Sequence, residues 1–175
     1  DSVVLIIGAM VVGPEFGPLA ALCVAAVQRR WALAVRSLVA LVLGFPIAAA
    51  ATWLAVVALR TWGTTPATLA RTQTLFISHP DAYSVIIALL AGVAGILSLS
   101  TSKSGALIGV LISVTTVPAA ANMAVAAAYS DWGELRGAAL QLAVNLGCAV
   151  AAGMATLGAQ RALWAVRARR RMRPA

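Results

Sequence analysis

The feature that most constrains this chain is how far it runs without a charge. No charged residue falls between Arg36 and Arg60, between Asp81 and Lys103, between Lys103 and Asp131, or between Arg136 and Arg161. Each gap holds about twenty residues or more, enough to cross a ~30 Å hydrocarbon core as a helix. Four such runs cannot be hidden in one small water-soluble core. They are continuously apolar and rich in Ala, Leu and Val, whereas barrel strands alternate apolar and polar positions. With 62% hydrophobic and only 10% charged residues, the chain is expected to be an all-α integral membrane protein.

About five transmembrane segments are expected. The first covers about 2–28 and is interrupted at Gly13–Pro18. The second covers 34–60, with a kink at Pro46. The third covers 82–100. The fourth covers 106–129, interrupted at Thr115–Pro118, and the fifth covers 137–164. Residues 1–164 read as one transmembrane domain with halves of about 1–81 and 82–164, and 165–175 as a basic tail.

If all five segments cross, the charges sort by side. One side holds Arg29, Arg30, Arg36, Lys103, Arg161 and the basic tail, with no acid. The other holds Arg60, Arg71 and Arg136 together with Asp1, Asp81, Asp131 and Glu134. The positive-inside rule makes the first side, with the C-terminus, cytoplasmic. The expected location is a bacterial inner (plasma) membrane. Trp31 and Trp164 fall at the inner boundary and Trp62 and Trp132 at the outer one, as an aromatic belt requires. The net charge of +8 is thereby accounted for by topology. The partners expected are the lipid bilayer and a small cation or solute, with a homo-oligomer as the assembly; nucleic acid is not expected.

Two stretches resemble each other at an offset of 101 residues. Ile7–Gly8 matches Ile108–Gly109, Val24–Ala26 matches Val125–Ala127, and Trp31 matches Trp132. The Gly13–Pro18 break falls over Val114–Ala119. Three crossings separate the copies, an odd number, so they should point in opposite directions. Inverted repeats with broken helices at corresponding positions point to a transporter-like site. The repeat also implies a further helix before Asp1, giving a three-plus-three architecture with its first helix missing.

Glu15 is the one ionisable residue expected near mid-membrane, where a charge is costly and is kept for a purpose. It can titrate a proton or hold a cation, or it can cap the half-helix that follows it. Its partner in the second copy is Thr116. Gly13 and Gly17 flank Glu15, while Ser113, Thr115 and Thr116 supply hydroxyls beside Pro118. These either join a ligand site or satisfy freed backbone. Asn122 follows Pro118 by about one helical turn. Gln141 and Asn145, four apart, share a helix face. They either glue helices together or line a polar path with Glu15. Gly147, Ala151, Ala155 and Ala159 form a small-residue stripe, expected to pack closely within or between subunits. His79 reads as a solvated loop residue, and Cys23 and Cys148 as small core residues. No nucleophile–base set, phosphate-cradling glycine loop or metal-ligand spacing appears, so neither enzyme chemistry nor a cofactor or metal is expected.

"LIIGAMVVGPEFGPL" resembles the N-terminal signature of the domain-of-unknown-function 389 family of bacterial hydrophobic membrane proteins. "GALIGVLISVTTVPAAANMAVAAAYSDWGELRGAALQLAVNLG" is similar to its second signature: an apolar helix with a central proline, a polar "DW" turn and an Asn in the next helix. The resemblance covers nearly the whole chain and implies a further helix upstream. Glu15 departs from it, standing where many members carry Ser, and the resemblance brings no activity. Two functions therefore stay open: a transporter or channel for a small ion or solute at paired broken helices, and a non-transporting scaffold or membrane anchor of a regulatory or oligomeric assembly.

Overall fold

A computed structural model of the chain describes residues 15–64, 81–101 and 106–171. Side chains are described through residue 99 of the third helix, from residue 116 of the fourth, and through residue 169 of the fifth. The expected first half of the opening segment, Gly13 and His79 lie outside the described residues. Among these there are five α-helices and no strand: α1 (Phe16–Val27), α2 (Trp31–Thr61), α3 (Ala82–Thr101), α4 (Ala106–Ala128) and α5 (Trp132–Arg171). Three of them, α2, α3 and α5, are long and apolar enough to cross a membrane.

α1 begins where the sequence breaks. Pro18 sits in its first turn, where the missing N–H costs nothing. α2 runs through Pro46 without interruption, for about 46 Å at 1.5 Å per residue. The expected interruption at Thr115–Pro118 is corrected: α4 is continuous from Ala106 to Ala128 with Pro118 inside it. A proline deletes one ladder hydrogen bond but does not by itself end a membrane helix when neighbouring helices hold it.

The helix ends repeat one another. Arg29, after α1, and Ser130, after α4, both take φ 57°. Around them the same bonds recur: Arg30 N–H to Ala25 O (2.8 Å) and Asp131 N–H to Ala126 O (2.9 Å), Arg29 N–H to Ala26 O (3.2 Å) and Ser130 N–H to Ala127 O (3.1 Å). This left-handed closure satisfies the last carbonyls of each helix and reverses the chain at once. α2 ends the same way, at Gly63 with φ 71°.

Two arginines fix which ends lie together. Arg60, near the end of α2, donates to the Ala128 carbonyl at the end of α4 and stacks 4.3 Å over the Tyr129 ring. Arg161, late in α5, donates to the Val27 carbonyl at the end of α1 at 3.0 Å. Each guanidinium meets the negative end of a helix dipole. The ends of α1 and α5 and the start of α2 therefore share one side. The ends of α2 and α4 and the start of α5 share the other.

α5 is the hub, packed against α1, α3 and α4, while α2 packs against α1 and α4. The closest approach is between α3 and α5. A Cβ on Gly92 would overlap the Ala149 carbonyl oxygen and lie 2.9 Å from its carbonyl carbon. One on Gly153 would lie 2.9 Å from Cys23 Sγ. Small residues let backbones approach in this way. They are not the expected ones: Gly147, Ala151, Ala155 and Ala159 all lie exposed, and a Cβ on Gly147 would meet nothing within 4 Å. The close-packing face is turned toward α3. The expected stripe is unused within the chain. Trp31, Trp62 and Trp132 are exposed at helix ends, and Trp164 is exposed late in α5.

Asp81 and Asp131 start α3 and α5. Asp81 Oδ1 accepts both the Ser84 N–H and the Ser84 hydroxyl at 2.8 Å, and Asp131 Oδ1 accepts the Glu134 N–H at 3.1 Å. The Ser84 N–H, and then its hydroxyl, hold the Asp81 carboxyl below its ordinary value. Because the folded value is the lower one, the cap's contribution is present above the unfolded value and is lost as pH falls through the folded one. The Ser84 amide is expected to stay protected from hydrogen exchange at neutral pH. Protection should fade only below the ordinary carboxylate value of about 3.9, and Asp81→Ala should remove it at neutral pH.

Candidate functional site

Glu15 precedes α1 but makes no side-chain cap to it. Its carboxyl instead turns away from its own helix. Thr116, on α4, donates its hydroxyl to Glu15 Oε1 at 2.9 Å. The two residues stand 101 positions apart, the offset of the sequence repeat. Both are buried, Glu15 with 6% of its surface exposed and Thr116 with 1%. Burying a carboxyl is costly unless its oxygens are hydrogen-bonded, and the Thr116 hydroxyl supplies one such bond.

Gln141 and Asn145 form a second buried polar pair, 5% and 1% exposed. Gln141 Nε2 donates to Asn145 Oδ1 at 3.4 Å, and Gln141 Oε1 is buried with no hydrogen-bond partner among the described residues. Asn122, also on α4, donates to Glu134 Oε2 at the start of α5 at 3.4 Å. Gly17 is exposed, and a Cβ there would meet nothing within 4 Å, so no close approach demands a glycine. Ser113 and Thr115 lie on α4, but their side chains are outside those described. No group of three His, Cys, Asp or Glu that could hold a metal ion occurs among the described residues.

An open apolar groove of about 460 Å³ lies among α1, α2, α4 and α5. Much of its lining pairs up at the repeat offset: Leu22 with Met123, Leu41 with Leu142, and Phe45 with Leu146.

The family model described as Domain of unknown function (DUF389) matches residues 10–158. The chain belongs to the DUF389 family. The match takes in the Glu15–Thr116 pair, the Gln141–Asn145 pair and both helix-ending turns of this DUF389 domain. No curated protein and no solved structure matches the chain.

Sequence reasoning missed three features of this DUF389 site. Arg60 and Arg161 read only as interfacial charges, although their spacing of 101 residues was a signal. Gly92 stood in an apolar run with nothing to distinguish it. Cys23 was read as core, but its contact with the Val150 carbonyl, 3.6 Å from Sγ, could not be seen.

Proposed function

We propose that this DUF389 chain is a multi-pass membrane protein that moves a small ion or solute, and that its site is the Glu15–Thr116 pair, where two inverted copies of one helical unit meet. The single observation that carries the reading is the buried hydrogen bond between residues at equivalent positions of the repeat. A contact between equivalent residues is what a two-fold axis passing between them produces.

Other features support the inversion. An exchange of copies turns the Arg60–Ala128 contact into Arg161–Val27, and both are made. It turns the Arg29 turn into the Ser130 turn. It also carries one wall of the apolar groove onto the other. The two arginine contacts, at opposite ends of the bundle, support copies that run in opposite directions. Alternating access in such folds is rocking of one repeat against the other around a site at the midplane. The basic side, with the C-terminus, is the cytoplasmic one on the positive-inside rule. The membrane we assign is the bacterial inner membrane. A second reading, a non-transporting oligomeric scaffold, draws on the exposed stripe from Gly147 to Ala159.

Flux into proteoliposomes, measured with a panel of monovalent ions, divalent ions and small neutral solutes, tests the proposal. Saturable flux above that of empty liposomes, abolished by Glu15→Gln, is expected. Background flux for every solute, the same in both proteins, leaves only the scaffold.

A further inference from the structure

Gln141 holds a buried carbonyl that nothing among the described residues satisfies. In a membrane such a group is costly, because no water is at hand to serve it. Nε2 donates to Asn145 Oδ1, and this directs Oε1 elsewhere.

Two contacts fix the level of this oxygen along α5. Asn122 on α4 meets Glu134, and α4 runs antiparallel to α5. Six residues back from Asn122 is Thr116; six residues on from Glu134 is Leu140. Cys23 on α1 meets Val150, and α1 runs parallel to α5. Eight residues back from Cys23 is Glu15; eight back from Val150 is Leu142. Each ruler, at about 1.5 Å per residue, puts the Glu15–Thr116 pair level with residue 141. α5 packs against both helices that carry the pair.

Resting on the transport reading above, we infer that Gln141 Oε1 is a cation ligand, and that with Glu15 and Thr116 it holds a dehydrated monovalent cation of the sodium class. The available donors are carboxylate, hydroxyl and amide carbonyl, all hard oxygens that suit a hard ion. One carboxylate balances one positive charge. A divalent ion would leave an unpaired charge inside the bilayer. A proton needs Glu15 alone and would leave Gln141 Oε1 unsatisfied. Gln141 is therefore the residue that separates a cation site from a proton site.

Equilibrium binding of radioactive sodium to the full chain in nanodiscs, with choline holding ionic strength constant, is the test. Wild type should bind saturably, and Glu15→Gln should not bind. Gln141→Leu should weaken binding by roughly tenfold or more, since losing a ligand costs at least what losing an orienting partner does. If Gln141→Leu melts below wild type in choline, Gln141→Asn replaces it, withdrawing the carbonyl by one methylene, with the same expectation. Absence of saturable sodium binding to wild type, or wild-type affinity in the folded Gln141 variant, overturns the inference. Glu15-dependent flux without sodium binding would sink this inference and leave the transport reading standing. Sodium binding without flux of any solute would do the reverse.

Discussion

Glu15→Gln is expected to reduce flux to the level of empty liposomes while the protein remains folded. The substitution is nearly isosteric, and the glutamine carbonyl can still accept the Thr116 hydroxyl that Glu15 Oε1 accepts at 2.9 Å. What it removes is the ability to carry a charge or exchange a proton. Thermal melting of the variant should therefore stay close to that of wild type, and flux alone should collapse. Thr116→Val is the contrasting change. It has similar volume but no donor, and it leaves Glu15 without this partner at a site that is 1% exposed. A loss of about 1.5–3 kcal/mol is expected on the scale of hydrogen bonds to charged groups, so this variant should lose stability as well as flux. Equal melting of all three proteins would show that the pair bears no part of the fold.

Gly92→Val should prevent the folded protein from accumulating at all. The added carbons would strike the backbone of Ala149, and backbone within a packed helix cannot swing aside as a side chain does. Overpacking typically costs about 1–3 kcal/mol, occasionally more. Here α3 would be pushed off the hub helix, on the face that also carries Gly153, beside Cys23 of α1. Gly147→Val makes the control, because a Cβ there meets nothing within 4 Å. Size-exclusion profiles in detergent should show a single peak for Gly147→Val and aggregate for Gly92→Val. The opposite pattern would mean that the exposed stripe, and not the α3 face, is the close-packing surface.

That contrast also shows what could be read from the sequence and what could not. A charge-free run points to a membrane helix from composition alone, and the offset of 101 between Trp31 and Trp132 points to equivalent positions. Glu15 and Thr116 were thus legible as a pair before any contact was known. The side of a helix that meets its neighbour was not. Spacing of four made Gly147, Ala151, Ala155 and Ala159 look like an interface. The interface formed instead through Ala149 and Gly153, on a face that periodicity could not favour because small residues lie all round this helix. Asn122 shares a helix with Thr116, but its direction depended on where Glu134 would stand. The proline at 118 read as a break because a proline deletes a hydrogen bond. Whether the helix continues past it is decided by what packs around it, and a single segment's sequence does not contain that.

The central claim is that α1 and α4 are equivalent units running in opposite directions. Arg30 and Asp131 occupy equivalent positions in the two repeated turns and make the most direct test. In a background with Cys23 and Cys148 replaced by alanine, Arg30→Cys and Asp131→Cys are each labelled in intact cells with a membrane-impermeant maleimide. The account predicts that Asp131→Cys reacts from outside and that Arg30→Cys reacts only after the membrane is opened. Labelling of both from the same side would contradict it.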